Sequence, residues 1–156
     1  MRRRDREVTD REQMEAYLKE TDICRVGFAV DGVPYIVPMN FGYQAGCFYF
    51  HCAREGRKID MMEQNPQVCF ELECRREIVT GEQACDWSMR YISIMGTGVL
   101  SIVEDHMEKK EGLDILMRHH GYSDSGPIAY GEKMLEHIYV LKLTVNEMTC
   151  KKSRYE

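Results

Sequence analysis

Short runs in which apolar and polar side chains alternate at every second residue constrain this chain's fold more than any other feature. Residues 24–30 alternate in this way, and the Asp31-Gly32 pair that follows favours a tight hairpin turn. Residues 34–43 alternate again, and residues 44–46 turn the chain into an aromatic run at 47–52. Period two with short turns predicts antiparallel strands, and we expect the first three to form a meander.

The rest of the chain predicts further strands together with two or three helices. Pro38 cannot donate a ladder hydrogen bond, so its strand should lie at a sheet edge or be irregular there. Later strands are expected at 67–74, 87–103 and 137–145, and helices at 9–20, with Thr9 and Glu12 as a capping box, at 56–65 and at 104–120. The glycines Gly96 and Gly98 predict a bulge or a close backbone approach. The sum is a mainly β single domain, residues 1–156, with about six antiparallel strands. Periodicity leaves barrel and sandwich open, although a barrel removes exposed edges.

Charge and cysteine content exclude several classes of function. Lys and Arg number 21 and Asp and Glu number 26, which gives a formal net charge of −5. This sign argues against general nucleic-acid binding, which depends on phosphate neutralisation. No run is long and apolar enough to span a bilayer, and the basic start is followed by charged residues rather than by a signal sequence. Seven cysteines, an odd number, favour free thiols in the reducing cytoplasm.

Two cations begin the expected helix at 56–65. Arg57 and Lys58 follow Gly56, although a helix N-terminus already carries partial positive charge. The placement becomes favourable if a phosphate binds there to the cations and the free backbone N–H groups. The alternative is a solvated basic turn paired with Glu55 or Asp60.

Residues 36–43 and 50–58 resemble the nitroimidazole-resistance (Nim-type) proteins of the pyridoxamine 5′-phosphate oxidase-like FMN-binding split-barrel superfamily. Residues 2–8 and 91–98 are also similar, although Ile92 stands where a more polar residue is expected. The resemblance runs from Arg2 to about Val145. It implies a six-stranded antiparallel split β-barrel of Greek-key topology, with two or three flanking helices and FMN at a homodimer interface.

The resemblance also assigns roles to residues of this chain. It implies a flavin site whose members are Pro38, Met39, Asn40, His51, Gly56, Arg57, Lys58, Trp87, Arg90 and Ser93. Residues 38–40 should line the isoalloxazine ring, residues 56–58 should hold the phosphate, and Ser93 should reach the flavin from the central strand. His51 should lie beside the ring or the ribityl chain, where it is the best candidate for a proton donor or substrate contact. Trp87 and Arg90 are assigned as contributions across the dimer.

The expected function is an FMN-dependent reductase that passes electrons from NADH or NADPH to a small acceptor, such as a nitroaromatic compound. Pyridoxamine 5′-phosphate oxidation is a weaker alternative, because residues 146–156 lack an Arg-x-x-Pro ending. A non-enzymatic flavin carrier or sensor is another. A metal site is disfavoured because no Cys-x-x-Cys pair is present, and buried free cysteines explain the spacing better. Residues 151–154 are expected to form a solvated tail.

Overall fold

The fold is built from one antiparallel sheet and four helices in the part of the chain that the computed structural model describes, residues 4–124 and 126–155. The strands are β1 (Glu7–Val8), β2 (Ile23–Val30), β3 (Val33–Asn40), β4 (Gly42–Gln44), β5 (Cys47–Ala53), β6 (Gln67–Val79), β7 (Ser88–Ile102) and β8 (Ile138–Ser153). The helices are α1 (Arg11–Leu18), α2 (Arg57–Gln64), α3 (His106–His119) and α4 (Glu132–His137). Arg2 and Arg3, part of the N-terminal resemblance, lie outside the described residues.

The sheet follows the order β3-β2-β6-β7-β8-β5-β4, and β1 pairs with β8. The expected meander is confirmed only in part. Both hairpins form, β2 with β3 and β4 with β5, but the predicted second strand is interrupted at Phe41. β2 pairs with β3, but β5 pairs along its whole length with β8, from Cys47 opposite Thr144 to Ala53 opposite Ile138. β3 and β5 contact each other, but in the described residues they are not joined by a ladder of backbone hydrogen bonds. The sheet curls into a barrel that is split between these two strands, which confirms the mainly β split-barrel prediction.

Alternate side chains of the strands point inward and form one apolar core. Phe41, Phe48 and Phe70 are almost completely buried at its centre, where the ring centroid of Phe48 lies 5.3 Å from that of Phe41 and 4.9 Å from that of Phe70. Phe41 lies between β3 and β4 and is completely buried. Its burial directs the chain after β3 towards the core, so that the following strand does not pair with β3. The hydrophobic effect of these large rings outweighs the local tendency towards a simple meander.

The glycines of β7 behave as the sequence predicts. A Cβ at Gly96 would lie 2.2 Å from the carbonyl oxygen of Glu147 and 2.4 Å from the Phe70 ring. The register with β8 shifts between Thr97 and Gly98, which is a bulge. Both expectations for this segment are confirmed.

Other boundaries differ from the sequence prediction. Asp10, not Thr9, caps α1, because its Oδ1 accepts a hydrogen bond from the Glu12 amide at 3.0 Å. β8 continues to Ser153, so the segment from residue 151 is paired with β7 and not a solvated tail. β6 extends to Val79. The two-residue β1 and the six-residue α4 were missed because they are too short to show a period, and the predicted strand 34–43 is divided into β3 and β4.

The helices pack against the barrel and extend its apolar core. α2 buries Ile59, Met61 and Met62 in the main core. α3 and α4 form a second apolar cluster against β5 and β8, in which Leu113 and Leu135 are buried. No helix of the described residues is long and apolar enough to cross a membrane.

Candidate functional site

The split between β3 and β5 opens into a cleft of about 250 Å³. It is lined by Val37, Pro38, Met39, Asn40, His51, Cys52, Ala53 and Lys58. The structure thus brings together five of the predicted site residues, from two strands and one helix that are distant in sequence. Val37, Cys52 and Ala53 were missed, although each is a direct neighbour of a predicted residue in the same strand.

The open edge of β3 explains why the cleft is not closed by a strand pair. Pro38 has no N–H to donate, and Pro34 lies four residues earlier in the same strand. Prolines protect edge strands from further pairing. Pro38 and Asn40 are exposed, whereas Met39 between them is buried in the core. The exposed side of β3 is therefore available to a ligand rather than to another strand of this chain.

The N-terminus of α2 lies at one end of the cleft and is not capped by a side chain. Gly56 is the N-cap residue with φ 119°, a conformation that favours glycine, and a Cβ there would meet no atom within 4 Å. The amides of Ile59 and Asp60 donate to the Gly56 carbonyl. The amides of Arg57 and Lys58 belong to the first turn, whose N–H groups have no partner within the helix.

The two cations of this turn are not neutralised by a carboxylate. Lys58 is half-buried and lines the cleft, while the Arg57 guanidinium lies over the Tyr35 ring at 4.5 Å from its centroid. Neither residue forms an ion pair among the described residues, so pairing with Glu55 or Asp60 is not found. Burial raises the pKa of the Cys52 thiol and the Lys58 charge opposes this shift, which places that ammonium near the thiol. The helix end is therefore a site of positive potential.

His51 is exposed on β5, and its ring makes no hydrogen bond, ion pair or ring contact with the residues that the structure describes. The other four histidine rings each have a partner: Glu132 for His106, the Thr21 carbonyl for His119, Asp22 for His120 and the Lys133 carbonyl for His137. A polar ring held on a rigid strand without a partner is free to contact a ligand in the cleft.

Five predicted residues do not line the cleft of their own chain. Gly56 and Arg57 adjoin it at the N-terminus of α2, whereas the other three lie elsewhere in the fold. Ser93 lies on the outer face of β7, opposite Glu73 of β6 and Lys151 of β8. Trp87 is 56% exposed, and its indole N–H donates to the Gly81 carbonyl at 3.0 Å. Arg90 forms an ion pair with Glu77 at 3.2 Å. All three residues belong to the β6–β7 hairpin and not to the strands that border the split.

The described residues contain no group of three or more His, Cys, Asp or Glu side chains placed to hold a metal ion. All seven cysteines are free, and Cys24, Cys74 and Cys150 are buried. The cations at the first turn of α2 and the polar groups that line the cleft are chemically suited to an organic ligand with an anionic end. The anion would meet the first turn of α2, and the body of the ligand would lie against residues 38–40 and His51.

Comparison with known proteins agrees with this architecture. A crystal structure of a candidate 5-nitroimidazole antibiotic resistance protein from Bacteroides thetaiotaomicron VPI-5482 is 36% identical, with a TM-score of 0.81 over 93% of this chain and 85% of that one. The FAD and heme binding protein from Mycobacterium smegmatis shares the fold at 19% identity, with a TM-score of 0.85 over 96% of this chain and 74% of that one. Protein RA0666 of Rhizobium meliloti (strain 1021) is 31% identical over 65 residues, which is 42% of each protein. The family profile described as pyridoxamine 5′-phosphate oxidase matches residues 10–152. The chain therefore belongs to the pyridoxamine 5′-phosphate oxidase family.

Proposed function

We propose that this protein binds FMN in the cleft between β3 and β5 and acts as a flavin-dependent reductase. The observation that carries the proposal is the uncapped first turn of α2, where Arg57 and Lys58 lack a counter-charge beside the cleft. A phosphate monoester supplies the missing anion, and free N–H groups at a helix N-terminus are suited to bind it. The Mycobacterium smegmatis protein that shares the fold is named as FAD-binding, which also supports a flavin ligand.

In this arrangement residues 56–58 hold the phosphate end, and residues 38–40 support the isoalloxazine ring. FMN supplies hydride and electron transfer, while the protein supplies position and electrostatics. His51 contacts the acceptor or donates a proton, because its ring is exposed at the cleft and has no partner in the described part of the chain. The electron donor is NADH or NADPH, and the acceptor is a small molecule. The resemblance to the Bacteroides protein favours a nitroaromatic acceptor.

The cleft volume supports a homodimer. About 250 Å³ is smaller than the roughly 300–1,000 Å³ of typical small-molecule sites, so a second surface is needed to enclose the ligand. The outer face of β3, β2, β6 and β7 begins beside the cleft and carries exposed apolar side chains. It exposes Ile36 and Met95, at 66% and 57%. Pairing of two such faces would bring Trp87, Arg90 and Ser93 of a second copy towards the flavin.

A second candidate ligand is haem, which the free His51 ring favours. Histidine is a common axial ligand of haem iron, and a ring nitrogen that makes no other contact is available to coordinate the metal. The Mycobacterium smegmatis protein is named as binding heme as well as FAD. This candidate predicts an intense Soret band that His51→Ala abolishes, whereas FMN alone gives only the flavin bands.

Cofactor identification tests these proposals directly. The purified protein should be yellow, and mass spectrometry of the released small molecule should identify FMN. Anaerobic bleaching by NADH or NADPH, followed by reoxidation with a nitroimidazole, would support the reductase. Stoichiometric FMN without turnover by any donor and acceptor would instead favour a flavin carrier. Failure of both the isolated and the reconstituted protein to retain any flavin would contradict the proposal.

The double variant Arg57→Ala/Lys58→Ala tests the phosphate site. It should lose FMN while its circular dichroism spectrum and melting temperature stay close to those of the parent protein. The matched control is Lys19→Ala/Arg118→Ala, which removes two exposed positive charges that lie away from the cleft and form no ion pair with any residue that the structure describes. Equal FMN affinity in the two double variants would refute the assignment of residues 56–58.

A further inference from the structure

Arg54 lies in the bend between β5 and α2, three residues before Arg57, and its side chain is turned towards a different part of the fold. Its Nη1 donates a hydrogen bond to the carbonyl oxygen of Glu136 in α4 at 2.9 Å. Its guanidinium carbon lies 4.9 Å from the ring centroid of Tyr139, the residue that pairs with Cys52 across β8 and β5. One side chain therefore connects the bend both to the end of α4 and to β8.

The end of α4 is itself firmly held. The Lys109 ammonium, on α3, donates to the carbonyl oxygens of Leu135 and Ile138, the latter at 2.7 Å. Burial lowers the pKa of Lys109 and the Arg54 charge lowers it further, which places the two cations near each other. Arg54 and Lys109 together donate hydrogen bonds to three backbone carbonyl oxygens at the C-terminal end of α4, where positive charge is favourable. Arg54 is thus attached to a rigid point that is anchored through α3.

The bend has few other restraints. The side chains of Glu55 and Arg57 are exposed. Glu55 forms no hydrogen bond or ion pair with the described residues, while the Arg57 guanidinium lies over the Tyr35 ring. No side chain caps α2, and Gly56 has no Cβ to limit its backbone. Within residues 54–56, Arg54 therefore supplies the one side-chain restraint that the described residues show on the segment leading into α2.

We propose that Arg54 is a positioning residue that orients the phosphate-binding turn of residues 56–58 by tying it to α4. This inference rests on the proposed FMN site, and it concerns the phosphate end alone. Arg54 does not line the cleft, so it acts through the bend and not through contact with the cofactor. Without the contact between Arg54 and α4, the phosphate-binding groups of residues 56–58 are still present but more mobile. Because they must then be ordered when a ligand binds, the affinity for any ligand that uses them is lower.

The test compares FMN with riboflavin, which lacks the phosphate. The full-length protein is stripped of cofactor, and dissociation constants for both ligands are measured by fluorescence quenching in the parent, Arg54→Met and Arg54→Lys. Arg118→Met is the matched control, because Arg118 is also an exposed arginine that donates to a backbone carbonyl, that of Asp124. We expect FMN affinity to fall about tenfold in Arg54→Met and about fivefold or more in Arg54→Lys, with riboflavin affinity within twofold of the parent. Lysine retains the charge but lacks the planar group that stacks on Tyr139 while it donates to α4.

Three results would overturn the inference. Unchanged FMN affinity in Arg54→Met would show that Arg54 does not position the turn. An equal loss of affinity for FMN and for riboflavin would indicate a general structural role instead. Full FMN affinity in Arg54→Lys would mean that charge alone acts on the phosphate. Failure of the proposed function gives a different pattern, since the parent protein would then bind FMN no more tightly than riboflavin.

Discussion

Gly42 offers a direct test of how α3 is seated on the barrel. A Cβ at this position would lie 2.6 Å from the backbone N and Cα of Leu116 and 2.7 Å from the carbonyl carbon of Ile115. Ordinary van der Waals contact begins at 3.4 Å, so Gly42→Ala requires α3 to move by about 0.8 Å. The atoms in the way belong to a helix backbone, and no flexible side chain can turn aside. Overpacking of this kind costs about 3 kcal/mol, and the lower entropy of the unfolded alanine chain returns about 0.5 kcal/mol. The net expectation is a loss of about 2.5 kcal/mol.

Chemical and thermal unfolding measure this loss. The free energy of unfolding in urea should fall by about 2.5 kcal/mol, and the melting temperature by roughly 5–10 °C for a domain of this size. Gly131→Ala is the control, because its φ is −67° and a Cβ there would meet nothing within 4 Å. That variant should change stability by less than about 1 kcal/mol. If the two variants unfold at the same urea concentration, α3 does not rest against β4 as described.

Three further predictions follow from single groups. Burial lowers the pKa of His119 below its ordinary 6.5, so the unfolded chain takes up this proton first on acidification; unfolding free energy should therefore fall as the pH drops below about 6.5. His119→Phe should lose this part of the pH dependence in urea titrations between pH 7.5 and 5.5, and an unchanged slope would contradict the assignment. Asp105 caps α3 by accepting from the Glu108 amide at 2.8 Å, so Asp105→Ala should cost about 1 kcal/mol, while no measurable loss would argue against the cap. A thiol reagent should modify the exposed Cys69 and Cys85 rapidly in the native state. It should reach the buried thiols of Cys24, Cys74 and Cys150 only on unfolding, because burial raises their pKa values to about 12, 11 and 11. Rapid reaction of all seven cysteines in the native protein would contradict the burial of these three.

The candidate site was predictable in its parts but not in its assembly. The Gly56–Lys58 bend carries its own signal, because cations at a helix N-terminus oppose the helix dipole unless an anion is bound. Pro38 likewise indicates an edge strand from its chemistry alone. Neither pattern shows that the two segments border one cleft. The partner of Arg54 is still harder to predict from the sequence, because its hydrogen bond to the Glu136 carbonyl joins residues that are 82 positions apart. No local sequence pattern indicates such a contact.

The amino-acid sequence by itself determined where strands form and which of their faces are buried, since side chains alternate across a strand and turn residues mark its ends. Only the tertiary structure decided which strands pair. Backbone hydrogen-bond groups are the same in every strand, so a ladder between β5 and β3 would satisfy them as well as the ladder between β5 and β8. Burial of Phe41 and Phe48 in a shared core selects the second arrangement. The split that results is the physical origin of the cleft beside Pro38 and His51.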